Sequence, residues 1–329
     1  MLIPDNQRRS VAELDDRLDL TAGDPKAKQS AFWTMLTLAG VIAIAGVVGD
    51  STATVIGAMI VAPLSTPILG VGLGITTGRG KLLGRSLLVV LLGTVLVVAM
   101  GALFVQVVPN HMAVLSNSQV LGRTSPRLSD LTAALATGLV GAIAITRRDV
   151  GDVLPGVAIA ISLVPPLAVV GVCLGSGAPS LALGAFVLFL SNVVAMIITA
   201  VAVFIAAGYA VAAEGTSGKR SRTYIVLAAA LVVVAIPMVA NTLSSVWEKQ
   251  IAEASRQWLA DVPGAEVTGV SWQGHTATVA VLGPATLPPI TELQTAVDGL
   301  LPWDPNLQVV HTVGSRMAAG PASPPTSTP

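Results

Sequence analysis

Seven long stretches of this sequence contain no Asp, Glu, Lys or Arg, and this feature most limits how the chain can fold. They cover residues 32–49, 53–77, 86–109, 131–146, 153–178, 179–213 and 223–247. A membrane-spanning helix needs about 20 predominantly apolar residues. The stretches therefore predict an integral membrane protein with about seven transmembrane helices. They exclude an ordinary cytosolic globular protein, because about 25% of the residues in such a protein are charged, against 11% here.

The first 29 residues are polar and predict a cytoplasmic amphipathic segment. Ser10 and Glu13 form a capping-box pattern, and Val11, Leu14 and Leu18 share one face of the helix that follows. This helix could lie on the membrane or pack on the polar face of the protein itself, and we favour packing. We expect no signal peptide, because these residues lack a short apolar core. Asp24-Pro25 is typical of the N-cap and first position of a helix that continues into the first span.

The distribution of basic residues predicts the orientation. If all seven stretches cross and the N-terminus is cytoplasmic, 13 of the 18 Lys and Arg residues lie on the inner side. The acidic residues divide evenly, so the inner side carries +4 and the outer side −4. The positive-inside rule favours this arrangement over one in which 53–77 and 153–178 are re-entrant. We therefore expect a multi-pass protein of the cell (inner) membrane with an extracytoplasmic C-terminal domain.

An internal repeat is indicated at an offset of 99 residues. The offset matches Gly57 to Gly156, Pro67 to Pro166, Gly72 to Gly171 and Gly78 to Gly177. Each copy would hold three helices, with the middle one interrupted by Gly and Pro. Because three spans is an odd number, the second copy enters the membrane from the opposite side, as in many transporters. We expect the first membrane repeat over 30–113, an outer loop over 114–129 and the second repeat over 130–213.

The breaks in the two middle helices are the candidate permeation or substrate-binding site. Proline inside a membrane helix removes an amide hydrogen bond, so the freed backbone groups need partners. Nearby hydroxyl groups could satisfy the backbone or line a polar path, and proline kinks can also be packing features. The buried amide of the sixth stretch joins the candidates, although such amides often hold helices together. The candidates are Pro63, Ser65, Thr66, Pro67, Ser162, Pro165, Pro166 and Asn192.

Two further groups of residues mark the repeats. Small residues every four positions allow close helix contacts, and the helix-packing candidates are Gly57, Gly70, Gly74, Gly78, Gly156, Gly171 and Gly175. Carboxylates that precede the broken helices could cap helix N-termini or act at a gate; they are Asp50, Asp149 and Asp152. Capping is the simpler interpretation. No carboxylate lies within the seven stretches, which argues against a buried proton relay.

After the seventh helix (223–247) the composition becomes that of a soluble domain. Residues 248–316 predict a small α+β domain of order αββαβ, with helices at 245–260 and 288–300 and strands at 265–271, 276–282 and 307–313. Such a domain could bind a protein partner, a cell-envelope component or its own copies. The Pro- and Ser-rich residues 317–329 predict a disordered tail.

Residues with catalytic chemistry are sparse. No zinc-protease, nucleophile-elbow or P-loop motif accompanies His111, His275 and His311, and the single cysteine, Cys173, lies in an apolar stretch. We therefore expect no enzymatic activity, no cofactor and no metal site. The net charge of zero gives no support to a nucleic-acid partner.

Three segments resemble a known prokaryotic family. They are GDSTATVIGAMIVAPLSTPILG (49–70), DVLPGVAIA (152–160) and VPPLAVVG (164–171). The sequence resembles hydrophobic membrane proteins catalogued as domain of unknown function 389, over about residues 30–210. The resemblance implies a multi-span membrane protein. It carries no catalytic or binding residues, because the activity of the family is uncharacterised.

Two functions fit these patterns best. The leading hypothesis is a passive or ion-coupled transporter or channel for a small solute or ion, with its path between the two broken helices. The alternative is a non-transporting oligomeric membrane scaffold or sensor whose C-terminal domain binds a partner. An intramembrane enzyme is the third possibility. In each case the lipid bilayer is a partner, and we expect a homo-oligomer.

Overall fold

A computed structural model of the chain describes residues 6–107, 114–150, 163–210, 217–273, 276–301 and 305–314. Its contacts divide the chain into two compact units, Met1–Val239 and Ala240–Pro329. Within the described residues, five helices are long and apolar enough to cross a membrane, and they are Pro25–Val48, Gly80–Val107, Leu128–Thr146, Pro179–Ala206 and Tyr224–Trp258. Several such helices in one chain indicate a multi-pass membrane protein.

The first unit is helical. Its helices are α1 (Val11–Leu18), α2 (Pro25–Val48), α3 (Thr52–Val61), α4 (Ser65–Thr77), α5 (Gly80–Val107), α6 (Ser118–Thr124), α7 (Leu128–Thr146), α8 (Val164–Gly175) and α9 (Pro179–Ala206). A long helix, α10 (Ser217–Trp258), follows them and continues into the second unit. The core of the first unit is formed by large apolar side chains of α1, α2, α4, α8 and α9, among them Leu14, Leu36, Ile68, Leu167 and Phe204.

Two predicted helix starts are confirmed. The Ser10 hydroxyl accepts a hydrogen bond from the Glu13 amide at 3.2 Å, and the Glu13 carboxylate accepts one from the Ser10 amide at 2.6 Å, which completes the capping box of α1. Asp24 accepts a hydrogen bond from the Ala27 amide at 3.1 Å and so caps α2, whose first residue is Pro25. Local sequence alone therefore determines where α1 and α2 begin.

The predicted break in the first middle helix is present. α3 and α4 are bent by 47° across residues 62–64. Pro63 lacks an amide hydrogen and cannot continue the hydrogen-bonding ladder of α3. Pro67 lies in the first turn of α4, where the missing amide hydrogen has no partner within the helix in any case.

The second predicted break falls at residues 151–162, outside the described residues. α8 begins at Val164, and Pro165 and Pro166 occupy its first turn in the same way as Pro67 does in α4. α4 and α8 thus begin 99 residues apart, and so do α5 and α9, whose last residues, Val107 and Ala206, also differ by 99.

The turns that end α4 and α8 are also alike. Gly78 and Gly177 adopt left-handed φ values of 71° and 73°, where a side chain would strain the backbone. In the first turn the Arg79 amide donates to the Gly74 carbonyl at 2.9 Å. In the second, 99 residues later, the Ala178 amide donates to the Cys173 carbonyl at 2.8 Å.

The second unit holds a three-stranded sheet in the order β1 (Glu266–Gln273), β2 (Thr276–Gly283), β3 (Asn306–Val313). β1 pairs antiparallel with β2, and β2 pairs parallel with β3. The helix α11 (Ile290–Asp298) connects β2 to β3 and packs its Leu293 and Val297 into the core of this unit. This order agrees with the predicted αββαβ pattern.

The helix predicted at 245–260 is not a separate element. It is the last part of α10, which runs unbroken from Ser217 to Trp258 despite Pro237. The physical reason is that no Gly or Pro lies between Pro237 and Pro263, so nothing in the backbone ends the helix where its side chains become polar. Ile251 and Leu259 pack in the core of the second unit.

Candidate functional site

The first break presents hydroxyl groups at the start of α4. Ser65 and Thr66 are half-buried in its first turn, and Pro67 is buried. The Thr66 amide donates to the Pro63 carbonyl at 3.2 Å. Leu64 occupies the N-cap position and supplies no side-chain acceptor. The α4 N-terminus is therefore not capped by its own N-cap side chain, and the two hydroxyl groups lie beside it.

The start of α8 is deeply buried. Pro165 and Pro166 are buried, and Leu163 at its N-cap position supplies no side-chain acceptor. Ser162, Asp152 and Gly156 were predicted to act here or nearby, and they lie outside the described residues. Asn192 is buried in α9 with 3% of its surface exposed.

α4 packs against α9, and α8 packs against α5. A side-chain carbon added to Gly72 of α4 would lie 2.8 Å from the Ala200 methyl group of α9. A carbon added to Gly171 of α8 would lie 2.9 Å from the α-carbon of Gly101 in α5. Both pairs are separated by the same offset, since Gly72 plus 99 is Gly171 and Gly101 plus 99 is Ala200. The sequence predicted the glycine match but not this pairing of helices.

The predicted packing glycines divide into two groups. Gly70 and Gly74 lie against Ser86 and Leu83 of α5, and Gly175 lies against the backbone of Ala102. These three, with Gly171, are close-contact positions as predicted. Among the described residues outside its own helix backbone, no atom lies within 4 Å of a side-chain carbon added to Gly57. Gly78 ends α4 in a left-handed turn.

One end of the helical unit is organised around Asp50. This residue has a φ of 49°, and its carboxylate accepts hydrogen bonds from the Ser118 hydroxyl at 2.7 Å and the Gln119 amide at 3.1 Å. Those contacts, the Ser118 hydroxyl foremost, lower the pKa of Asp50. Asp50 therefore stabilises the start of α6. The cap of α3 is Ser51, whose hydroxyl accepts from the Thr54 amide at 3.3 Å.

The opposite end is covered by α1. Leu14 and Leu18 are fully buried against the helical unit, which confirms that this amphipathic helix packs on the protein. Its acidic residues meet basic residues of two loops, since Glu13 pairs with Arg148 at 2.8 Å and Asp15 pairs with Arg79. The Arg148 guanidinium, together with the capping hydrogen bonds of Ser10, lowers the pKa of Glu13 to about 2.

Asp149 lies at the same end. It binds Arg147 through two hydrogen bonds, 2.9 Å to Nε and 2.5 Å to Nη2. The guanidinium lowers the pKa of the Asp149 carboxyl group. Within the described part of the loop, then, Asp149 is an ion-pair partner of Arg147, and the helix start that it was predicted to cap lies outside the described residues.

The chain before α1 joins this end through its backbone. The Arg9 amide donates to the Thr146 carbonyl at 2.9 Å, and the Arg148 amide donates to the Gln7 carbonyl at 2.9 Å. Arg8 donates to the Ala207 carbonyl at 2.8 Å, and the Tyr209 hydroxyl donates to the Arg9 carbonyl at 2.7 Å. The N-terminal segment thus contacts the chain just after α4, α7 and α9. The apolar face of α1 predicted that it packs on the protein, and the opposite charges of α1 and these loops are a second sequence signal for this arrangement.

Metal-binding or nucleophilic clusters are not found among the described residues. In the described ranges, no three His, Cys, Asp or Glu side chains could share a metal ion. Cys173 is a free, buried thiol within α8. The described features of the candidate site are the α3–α4 break, the hydroxyl groups of Ser65 and Thr66, and the close helix contacts.

Comparison with known proteins shows a similarity to one family over part of the chain. Residues 59–198 match the family model described as "Domain of unknown function (DUF389)". The chain is similar to "Uncharacterized protein MJ0678" of Methanocaldococcus jannaschii, with 33% identity over 174 residues. That match covers 53% of each protein, so the chain spans about half the length of this curated relative. No solved structure matches. Through residues 59–198 the chain is similar to the DUF389 family, whose function is unknown.

Proposed function

We propose that this protein is a transporter or channel for a small solute or ion, with its path between the α3–α4 break and the start of α8. The observation that carries the proposal is the matched packing of α4 and α8, Gly72 on Ala200 and Gly171 on Gly101. Each of these helices thereby packs against the third helix of the other half. Many secondary transporters form their substrate sites where discontinuous helices of two halves meet.

The directions of the helices support an inverted repeat. The Gln106 side chain at the end of α5 donates to the Gly175 carbonyl at the end of α8 at 2.9 Å, so these two helices end together. α4 ends where α5 begins, since only Gly78 and Arg79 separate them. α4 and α8 consequently run in opposite directions, as the halves of an inverted repeat do.

We also propose that the chain crosses the membrane seven times. Arg148 and Asp149 lie at the end that α1 covers, whereas the end of α8 lies with the end of α5. A full crossing between 150 and 175 is consistent with these contacts, and α3–α4 together make another. The basic residues of the α1-covered end favour a cytoplasmic position for it, with the C-terminal domain outside.

The chemistry of the path would be supplied by neutral groups. Ser65 and Thr66 offer hydroxyl groups beside an N-terminus that its own N-cap residue leaves uncapped. In a low-dielectric setting such groups can replace part of the hydration of a solute, whereas lipid-exposed irregular backbone is not tolerated. We propose no catalytic reaction for the chain.

Water accessibility of the break tests the proposal. In a Cys173→Ala background, Ser65→Cys and Thr66→Cys should react with a membrane-impermeant methanethiosulfonate reagent. Val95→Cys is the matched control, because this α5 residue is 64% exposed on the helical unit but would face lipid. Reaction at 65 or 66 without reaction at 95 supports a solvated path. Failure of both 65 and 66 to react would overturn it.

A membrane scaffold or sensor is the second candidate, and the separate core of the second unit favours it. Val279, Val281, Leu293 and Val297 are buried there, and they come from one sheet and one helix. If this unit carries the function by binding a partner or further copies of the chain, removal of residues 261–329 abolishes function. The same removal should leave solute flux in proteoliposomes unchanged.

A further inference from the structure

We propose that the cleft at the start of α5 binds the headgroup of an anionic phospholipid. The cleft has a volume of ≈ 400 Å³. It is lined by Asp15, Asp19, Ala22, Arg79, Gly80, Lys81, Leu82 and Arg85. This site is separate from the proposed path, and the argument for it does not depend on transport.

The charges of the cleft favour an anion. Three cations, Arg79, Lys81 and Arg85, face two carboxylates, so the lining carries a net charge of +1. Arg79 pairs with Asp15. Arg85 donates to the Thr21 hydroxyl at 2.7 Å and lies 4.0 Å from the Asp19 carboxylate. The side chains of Arg79 and Arg85 remain 49% and 56% exposed, which leaves room for contacts with a phosphate group.

An apolar stripe on α5 continues from these cations. Lys81, Arg85, Leu88, Leu92 and Val95 follow one another at intervals of four and three residues, which places them on one face of the helix. Leu88, Leu92 and Val95 are 56%, 49% and 64% exposed. An acyl chain on this stripe would bring its headgroup to Lys81 and Arg85. Free phosphate would make no contact with the apolar stripe. A cationic cleft next to an exposed apolar stripe therefore favours a lipid.

Native mass spectrometry of the full chain in a neutral detergent tests the site, with phosphatidylglycerol or phosphatidylcholine added at equal concentration. The protein should retain phosphatidylglycerol in preference. Each Lys or Arg near an anionic surface contributes about 1 kcal/mol, so the loss of two cations in Lys81→Ala/Arg85→Ala should lower this retention roughly 30-fold. Lys26→Ala is the matched control, because Lys26 is an exposed cation at the start of α2, outside the cleft. Lys26→Ala should leave the retention of phosphatidylglycerol unchanged.

Two further arms separate the sources of the anion. Leu92→Gln should weaken phosphatidylglycerol retention, and inorganic phosphate at equal concentration should not displace the lipid. Equal retention of the two lipids, or full retention by the double variant, would overturn the proposal. So would displacement by inorganic phosphate, which would indicate a soluble anion. Loss of a dimer in Leu92→Gln with lipid retention unchanged would also overturn it, because the stripe would then be a contact between copies of the chain.

Discussion

The two halves of the helical unit contain equivalent helix contacts, but the distance between the helix backbones differs between them. In the first half Gly72 meets the side chain of Ala200, and in the second Gly171 meets the backbone of Gly101. A methyl group therefore separates α4 from α9, whereas α8 and α5 touch backbone to backbone. Backbone atoms cannot move aside as a side chain can, so the second contact should tolerate less change. Equivalent positions in the two halves therefore need not be equally sensitive to substitution.

Substitution of Gly171 should have the largest effect. In Gly171→Ala the new methyl group would collide with the Val98 carbonyl oxygen and would lie 2.9 Å from the α-carbon of Gly101 in α5. We expect a loss of about 3 kcal/mol in the free energy of unfolding, the upper range for overpacking. Unfolding of the purified protein in detergent measures it. Gly57→Ala is the control, since Gly57 has no neighbour there and should lose nothing. Equal stability of the two variants would contradict the close contact.

Substitution of Gly72 should have an intermediate effect that a second substitution relieves. Gly72→Ala would place its methyl group against that of Ala200 and cost about 1 to 2 kcal/mol. Ala200→Gly reproduces in the first half the pairing that Gly171 and Gly101 make in the second. In a double-mutant cycle the pair should therefore recover part of the loss. Strict additivity of the two substitutions would show that Gly72 and Ala200 do not interact.

A second difference between the halves is α1, which meets the first half along α4 and pairs with the second half through Glu13 and Arg148. The pKa of Glu13, about 2, is below its ordinary value of 4.5. The ion pair therefore stabilises docking of α1 above pH 4.5, and this contribution is lost as the pH falls toward 2. Because Glu13 is exposed, we expect this effect to be the smallest.

Spin-label mobility on α1 measures this docking. A label at Ala12→Cys, in the Cys173→Ala background, should become more mobile between pH 4.5 and 2. In the Glu13→Gln variant the label should already be more mobile at neutral pH. The increase in its mobility between pH 4.5 and 2 should then be smaller. Asp16→Asn is the control carboxylate, because Asp16 pairs with Lys28 and makes no contact with Arg148. An equally large increase in label mobility in the Glu13→Gln variant would contradict the role of the Glu13–Arg148 ion pair in docking α1.

The sequence predicted features that depend on neighbouring residues. The charge-free stretches, the Ser10 capping box and the break at Pro63 all follow from local composition and backbone chemistry. The offset of 99 predicted that Gly72 and Gly171 correspond. The αββαβ order of the second unit could also be predicted, because turns and alternating strands mark it.

What the sequence did not predict depends on distant partners. Arg148 and Glu13 are 135 residues apart, and nothing local indicates that they meet. Asp50 precedes α3 and has the chemistry of a cap, but its left-handed φ accompanies contacts with α6 instead. Gly57 fits a small-residue pattern, yet whether a glycine makes a contact depends on what lies opposite it. Such features are properties of the packed chain.

Accessibility of two equivalent residues tests the inverted arrangement of the halves most directly. Lys81 and Ser180 are 99 residues apart, and both are exposed in the first turns of α5 and α9. Each cysteine variant is expressed in the Cys173→Ala background. An impermeant thiol reagent should label Ser180→Cys in intact cells and Lys81→Cys only after permeabilisation. Labelling of both positions from the same side of the membrane would contradict the inverted repeat and, with it, the proposed path.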